Sequence, residues 1–324
     1  MRSPLSFIYI EEVLCFMKIA VDVGHGFVKA LSEMGVRVIF PSLICPVPPS
    51  VDLGDYARME AISIDNVPYL VGDPARPHAS PLWSRDKAVD EDTLRLILTA
   101  VAQLGAVGPA QLATGLPLAW FGSQRKALKE ALMGYGGVVQ CPGQPPQRLW
   151  IEQVKVLPQG VAAASALIAA ANYRLGEYVV ADIGYRTTDF IVVSKRSDGT
   201  IRFDAAQAGS LEIGTHAVAS LVAQGLEQEF HLPFQPAEVE SVSHVFIDGL
   251  EIELGPRRNA AIGAISRQLR AVLTEKLDDQ LAKAADMVLC GGGASVLAAA
   301  FPRAVIALEP QWGNVQAYLT ALRD

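Results

Sequence analysis

Two aspartates, about one domain length apart, open the same local pattern. Asp22 stands in Lys18-Ile-Ala-Val-Asp-Val-Gly-His-Gly-Phe-Val-Lys-Ala-Leu31, and Asp182 in Tyr178-Val-Val-Ala-Asp-Ile-Gly-Tyr-Arg-Thr-Thr-Asp-Phe-Ile-Val-Val193. Each reads as an apolar strand, an Asp-x-Gly, a polar turn and an apolar strand running back. Backbone N–H groups in such a turn suit phosphate, and the carboxylate beside them suits a hard divalent cation. Glycine at 184 permits a backbone excursion that a side chain would obstruct. An ordinary β-hairpin with an acidic turn accounts for either copy alone. The recurrence predicts more: two similar α/β domains facing each other across a cleft, each supplying one carboxylate and one phosphate loop.

Two further stretches fit that chemistry. Met287-Val-Leu-Cys-Gly-Gly-Gly-Ala-Ser295 is a buried strand running into three glycines and a helix start. Consecutive glycines let a flat ring approach the backbone, and a helix N-terminus favours phosphate. Pro158-Gln-Gly-Val-Ala-Ala-Ala-Ser-Ala-Leu-Ile-Ala-Ala-Ala171 predicts a thin helix with proline at its first position. Gln159 is expected in its first turn, where free amides and the dipole favour anions.

The elements that must hold these residues follow in order. A third strand is expected over 36–40, and a hairpin around Asp65-Asn66, giving a small β-rich insert over about 42–87. Leu94, Ile97, Leu98 and Val101 share one face of a helix over 90–104. Strands are expected over 111–117 and 150–157, with a basic amphipathic helix over 122–132 between them. After the second hairpin come a strand over 201–214, helices over 215–230 and 259–281, strand-rich sequence over 239–254, and a closing helix from Trp312.

Composition narrows the function. The 324 residues suffice for two domains, and 51% hydrophobic against 19% charged content favours large buried sheets. A net charge of −7 with no basic cluster argues against direct nucleic-acid binding. Four scattered cysteines support neither a zinc site nor a disulfide framework, and point to a reducing cytoplasm. No stretch is apolar enough for a membrane span. Met1 to Phe16 reads as an upstream extension outside the fold, with an amphipathic membrane anchor or a partner-binding peptide as the alternative.

Five motifs stand in the order used by the actin, heat-shock-chaperone and sugar-kinase ATPase fold. They are Asp22-x-Gly24-x-Gly26-x-x-Lys29, Pro158-Gln159-Gly160-Val161-Ala162-Ala163, Asp182-Ile-Gly184-Tyr-Arg-Thr187-Thr188-Asp189, Gly291-Gly292-Gly293-Ala294, and the helix after Trp312-Gly313. Within that fold the chain most resembles the bacterial and archaeal actin-like ATPases, specifically the ParM-like plasmid-segregation group. Thr114-Gly-Leu-Pro-Leu118, Val154-Lys-Val-Leu-Pro158 and Asn66-Val-Pro-Tyr-Leu-Val-Gly-Asp73 look like further family stretches.

The resemblance implies duplicated actin-like, ribonuclease H-like domains flanking a nucleotide cleft. Domain I would span 17–174, completed by the C-terminal helix over about 312–324, and domain II would span 175–311. It implies ATP and ADP as ligands, with GTP as an alternative, and Mg²⁺ held by Asp22 and Asp182 through waters. Lys29 would reach the phosphates, cradled by Gly24, His25 and Gly26 on one side and Gly184, Tyr185, Arg186 and Thr187 on the other. Gly291, Gly292 and Gly293 would line the nucleoside pocket, with Gly209 and Ser210 beside them. Gln159 would orient the attacking water, where ParM-like proteins often carry glutamate; glutamine positions rather than abstracts a proton, so slow hydrolysis is implied.

The function so implied is a filament-forming cytoplasmic ATPase that assembles with ATP and disassembles after hydrolysis. An adaptor protein would link it to plasmid DNA. A monomeric small-molecule kinase of the same fold and a non-polymerising, membrane-linked scaffold ATPase are the alternatives.

Overall fold

The computed structural model describes residues 16–49, 60–79, 84, 86, 87, 90–169 and 173–323. Nearly all of the N-terminal extension therefore lies outside the described residues. The chain opens with an antiparallel meander, β1 (Met17–Val23), β2 (Phe27–Ser32) and β3 (Arg37–Pro41). Three short strands follow, β4 (Ile44–Pro46), β5 (Ile62–Ile64) and β6 (Val67–Val71). Then come α1 (Glu91–Gln103), β7 (Gly108–Leu116), α2 (Leu118–Leu132), β8 (Gly136–Gln140) and β9 (Gln147–Pro158). A short helix, α3 (Val161–Ala169), leads to a second meander, β10 (Gly176–Ile183), β11 (Thr188–Lys195) and β12 (Ile201–Leu211). Helices α4 (His216–Phe230) and α5 (Pro236–Glu240) precede a small hairpin, β13 (His244–Ile247) and β14 (Leu250–Glu253). Last come α6 (Gly255–Lys283), β15 (Asp286–Cys290), α7 (Ala294–Leu297), β16 (Val305–Ile306) and α8 (Gly313–Ala321).

The duplication is present in the topology. One sheet runs β3-β2-β1-β7-β9-β8-β5-β6-β4 and the other β12-β11-β10-β15-β16. The first five strands of one match the five of the other: a three-stranded antiparallel meander, then two strands parallel to its first. Register matches as well. Asp22 lies opposite Lys29 in the first hairpin, and Asp182 opposite Asp189 in the second. The strands of the small insert run on from β8 as part of the large sheet.

Local chemistry explains most of these elements. Asp90 caps α1 by accepting from Thr93 N–H at 3.2 Å, and the helix buries Leu94, Ile97, Leu98 and Val101. Asp65 and Asn66 both take left-handed backbone (φ 49° and 66°), which turns β5 into β6. Three expectations need correction. Helix α2 starts at Leu118 rather than 122. The 239–254 stretch begins with the end of α5, a helix opened by a capping box between Gln235 and Glu238, before its hairpin. Pro158 is not a helix start: it is the last residue of β9, pairs with Leu116, and leaves Gln159 and Gly160 to turn into α3 at Val161. Ladder pairing with β7 wins there over proline's helical preference, and Gln159 N–H extends it by donating to Leu116 C=O at 2.8 Å.

Helices α3 and α8 exchange sides. The first leaves domain I by sequence, yet buries Ala163, Ala164 and Ile168 against Tyr178, Val180, Ile191 and Val193 of the second sheet. The second follows domain II, yet buries Val315, Tyr318 and Leu319 against Ala20, Leu31 and Ala113 of the first. The Tyr318 phenol lies over Gly115, where any side chain would collide with it. Small residues line this close crossing: a Cβ placed on Gly313 would already stand 3.4 Å from the Ala163 methyl. The carboxylate-bearing ends of β1 and β10 meet where these helices cross.

Candidate active site

The two hairpin turns face each other across a cleft of about 320 Å³. They are built alike. Gly24 N–H donates to Phe27 C=O at 3.1 Å, and Gly184 N–H donates to Thr187 C=O at 2.8 Å. Each glycine amide is thus spent on closing its own turn, so a phosphate would be met by the rest of the loop. Loop carbonyls are tied down from behind. Ser42 reaches the carbonyls of Gly24 (2.6 Å, through Oγ) and Gly26 (2.9 Å, through its N–H). Thr215 and His216, at the start of α4, donate to those of Gly184 (3.2 Å) and Tyr185 (2.8 Å).

The carboxylates sit deep in the cleft, each held by one side-chain amide. Gln159 Nε2 donates to Asp22 Oδ1 at 2.6 Å, and Asn314 Nδ2 donates to Asp182 Oδ2 at 2.8 Å. Lys29 Nζ pairs with Asp22 at 3.5 Å. Burial pushes the Asp182 carboxyl up to about 6, against the pull of the Asn314 hydrogen bond. Burial likewise pushes Asp189 up to about 7, while the Ser210 hydroxyl bond opposes it. His25 is driven down to about 3, first by burial and then by the charges of Lys87 and Arg186, so its ring is neutral. It meets Trp120 of α2 edge-on.

Thirteen of the residues expected to handle phosphate, metal or base line this one cleft with Gln159: Asp22, Gly24, His25, Gly26, Lys29, Asp182, Gly184, Tyr185, Arg186, Thr187 and the three glycines 291–293. Gly291 needs its glycine twice over. Its φ is 84°, and a Cβ there would collide with Asp182 Oδ1. The helix after the glycines is four residues long.

Gly209 and Ser210 are corrected: neither lines the cleft. On β12 they pair with Phe190 and Asp189, and Gly209 packs on the Phe190 ring. Ser210 Oγ donates to the Asp189 carboxylate and accepts from Ala119 N–H at 3.3 Å, so it joins the second sheet to the start of α2. With Pro117 at its N-cap, α2 has no capping side chain of its own, and Ser210 takes up one of its open amides.

Sequence reasoning missed Lys87, Asn314, Glu240 and Gln311, which also line the cleft. Lys87 and Glu240 carry no local motif. Asn314 could have been found, because it follows the second sheet as Gln159 follows the first.

Tyr185 closes the loops on each other. A Cβ on Gly26 would stand 2.7 Å from the Tyr185 ring, so only glycine lets the loops pack this tightly. The phenol is fixed by Glu240 (3.2 Å) and His216 (3.1 Å).

Among the described residues, no three His, Cys, Asp or Glu side chains converge to hold a metal alone. The donor set still fits a hard cation. Asp22 and Asp182 are buried oxygen donors, and Asp182 is destabilised as an anion until positive charge arrives.

Two family models match the chain: actin-like proteins, N-terminal domain, over residues 20–161, and archaeal actin homologue MreB-like, C-terminal, over residues 180–302. The chain belongs to the actin-like family. An archaeal actin homolog of Thermoplasma acidophilum is 25% identical to it over 94% of this chain and 98% of the relative. Solved structures agree on the fold. A fifteen-stranded ParM filament from Clostridium botulinum has a TM-score of 0.82 at 20% identity, covering 95% of this chain and 99% of that one. An archaeal actin homolog in complex with ADP has a TM-score of 0.76 at 22% identity, over 95% and 99% of the two chains. The boundary between the two family models, 161 to 180, brackets α3, the helix that crosses between the sheets of this actin-like protein.

Proposed function

We propose that this actin-like protein is a slow, Mg²⁺-dependent ATPase that polymerises with ATP bound and disassembles after hydrolysis. The observation that carries the reading is the paired site: two like-built loops, each with a buried carboxylate and an amide donor, facing one cleft. The solved relatives with ADP and in a filament support it. Domain I takes 17–174 with the closing helix from about 312, and domain II takes 175–311.

The chain's own residues divide the work. The loops over Gly24–Gly26 and Gly184–Thr187 cradle the phosphates, and Lys29 adds a positive charge. Gly291–Gly293 leave room for the nucleoside. Gln159 has its Nε2 committed to Asp22, which leaves Oε1 to accept a hydrogen bond from the attacking water and orient it. That water's oxygen bonds to the terminal phosphorus as the bond to the diphosphate's oxygen breaks and a phosphate oxygen takes up the water's proton, giving ADP and inorganic phosphate. Asp22 and Asp182 would hold Mg²⁺, which would supply charge neutralisation on the phosphate oxygens. No side chain at Gln159 abstracts the proton, which is consistent with slow turnover suited to timing a polymer.

Self-association is the primary interaction, and an adaptor protein carries plasmid DNA or another cargo. The net charge of −7 speaks against direct nucleic-acid contact, and the scattered cysteines fit a reducing cytoplasm. Phosphate release from Mg-ATP tests the site. The wild type should release phosphate and Asp182→Ala should not. Normal turnover by that variant refutes the assignment.

A further inference from the structure

Lys87 is a buried cation in the cleft that the reading above does not use. It is 5% exposed and lines the cavity with Asp22, Lys29, Gln159, Asp182 and Asp189. Its Nζ donates to Val23 C=O, at the end of β1 where the first loop begins. Among the described residues, no carboxylate is in ion-pair contact with it. The charges that act on it are mixed: Asp22, Asp189 and Asp90 favour the ammonium, and Lys29 opposes it. Burial dominates and draws the ammonium's pKa down.

A lysine so placed is costly. Removing an ammonium from water without a paired anion is a large penalty, and folded proteins seldom bear it without return. Among the described residues, a single carbonyl acceptor leaves the ammonium's other N–H donors without a hydrogen-bond partner. The cleft itself offers the compensating ligand, since its loops are built for a polyanion. Position within the cleft says which part of that polyanion. Lys87 stands at the first loop, where its Nζ meets Val23 C=O next to Asp22 and it acts electrostatically on Asp22 and Asp189. The nucleoside belongs with the glycines, and the terminal phosphate with the carboxylates and Gln159.

We propose that Lys87 is a binding residue for the terminal phosphate, so that the cleft discriminates a nucleoside triphosphate from a diphosphate through it. The inference rests on the nucleotide reading of this cleft. Lys87 differs from Lys29 in its origin. Lys29 is on β2, in register with Asp22, whereas Lys87 arrives on the segment that returns from β4–β6 to α1. The third phosphate is thereby contacted from the insert, and its loss leaves the Lys87 ammonium without that partner. The same placement explains why sequence reading passed Lys87 by: no motif surrounds it.

The test compares two ligands and two properties in Lys87→Met and Lys87→Arg. Titration calorimetry with Mg-ADP and with a slowly hydrolysed Mg-ATP analogue gives both affinities. Thermal unfolding without nucleotide gives stability. For Lys87→Met we expect triphosphate affinity to fall about tenfold or more while diphosphate affinity changes by less than about threefold. The nucleotide-free midpoint should hold or rise, because an unpaired buried charge has gone. Lys87→Arg, which keeps the charge, should retain most of the discrimination. Equal losses for both ligands, or a lowered midpoint with the affinity ratio unchanged, would show that Lys87 merely braces Val23 and would overturn the proposal. Should Lys87→Met fail to fold, Lys87→Gln takes its place in the same comparison, and an unchanged ratio of the two affinities there would overturn the proposal too. A wild type that binds neither ligand would sink the nucleotide reading itself, which separates that failure from this one.

Discussion

Asn314 Nδ2 lies 2.8 Å from Asp182 Oδ2, and Asn314 Oδ1 accepts from Gly160 N–H at 3.1 Å. One amide on α8 therefore holds both a buried carboxylate of the second hairpin and the turn that carries Gln159. Its counterpart is Gln159 itself, whose amide holds Asp22 at 2.6 Å. Each sheet is followed by a short turn, an amide and a crossing helix, and each amide serves a carboxylate at the crossing.

Replacing Asn314 with alanine should therefore act on both sides at once. The Asp182 carboxyl loses the hydrogen bond that pulls its pKa down and moves further above 6. Gly160 N–H loses its acceptor. A cost of about 1–3 kcal/mol in unfolding free energy is expected from the stranded buried groups. Nucleotide affinity measured against pH should weaken most on the acid side, and an unchanged pH midpoint would count against the role given to Asn314.

The two raised carboxyls also set a stability slope. Asp182 sits near 6 and Asp189 near 7 in the folded protein, above the ordinary aspartate value of the unfolded chain. Between those limits the folded state binds more protons, so rising pH removes stability across the window from about 4 to 7. Nucleotide-free protein should melt higher at about pH 5 than at about pH 8 from this source. Asp189→Asn should flatten the slope. A slope of the same size in that variant would place its origin elsewhere.

How much of this was legible in the sequence follows from the range of the interactions. The Asp-x-Gly hairpins, α1 with its Asp90 cap and the Asp65-Asn66 turn are local, so residue type and spacing show them. Ser210 was misplaced because its position depends on pairing with Asp189 and on α2 arriving from the other half. Pro158 was misread because β7, some forty residues earlier in the chain, extends the ladder through it. Lys87 and Asn314 gain meaning only when distant segments converge, and no periodicity announces that.

Gly26→Ala tests the contact between the loops. A methyl group there would press on the Tyr185 ring at 2.7 Å, and the crowding should cost about 1–3 kcal/mol of stability and weaken nucleotide binding. Adding Tyr185→Ala should return part of the stability loss, giving a measurable coupling in a double-mutant cycle. Additive losses would mean that the two loops do not bear on each other.

Gln159→Ala separates positioning from binding. It removes the donor to Asp22 and the acceptor for the water, so phosphate release should slow by about tenfold to a hundredfold. Diphosphate affinity should change little, since Gln159 is assigned to the water and not to the nucleotide. Equal loss of binding and turnover would assign Gln159 to the nucleotide instead.

Right-angle light scattering of the purified protein on adding Mg-ATP, Mg-GTP or Mg-ADP tests the central claim most directly. A rise with triphosphate above a critical protein concentration, decaying as phosphate appears, is the predicted result. A flat trace under conditions where the nucleotide is bound would contradict a polymerising ATPase.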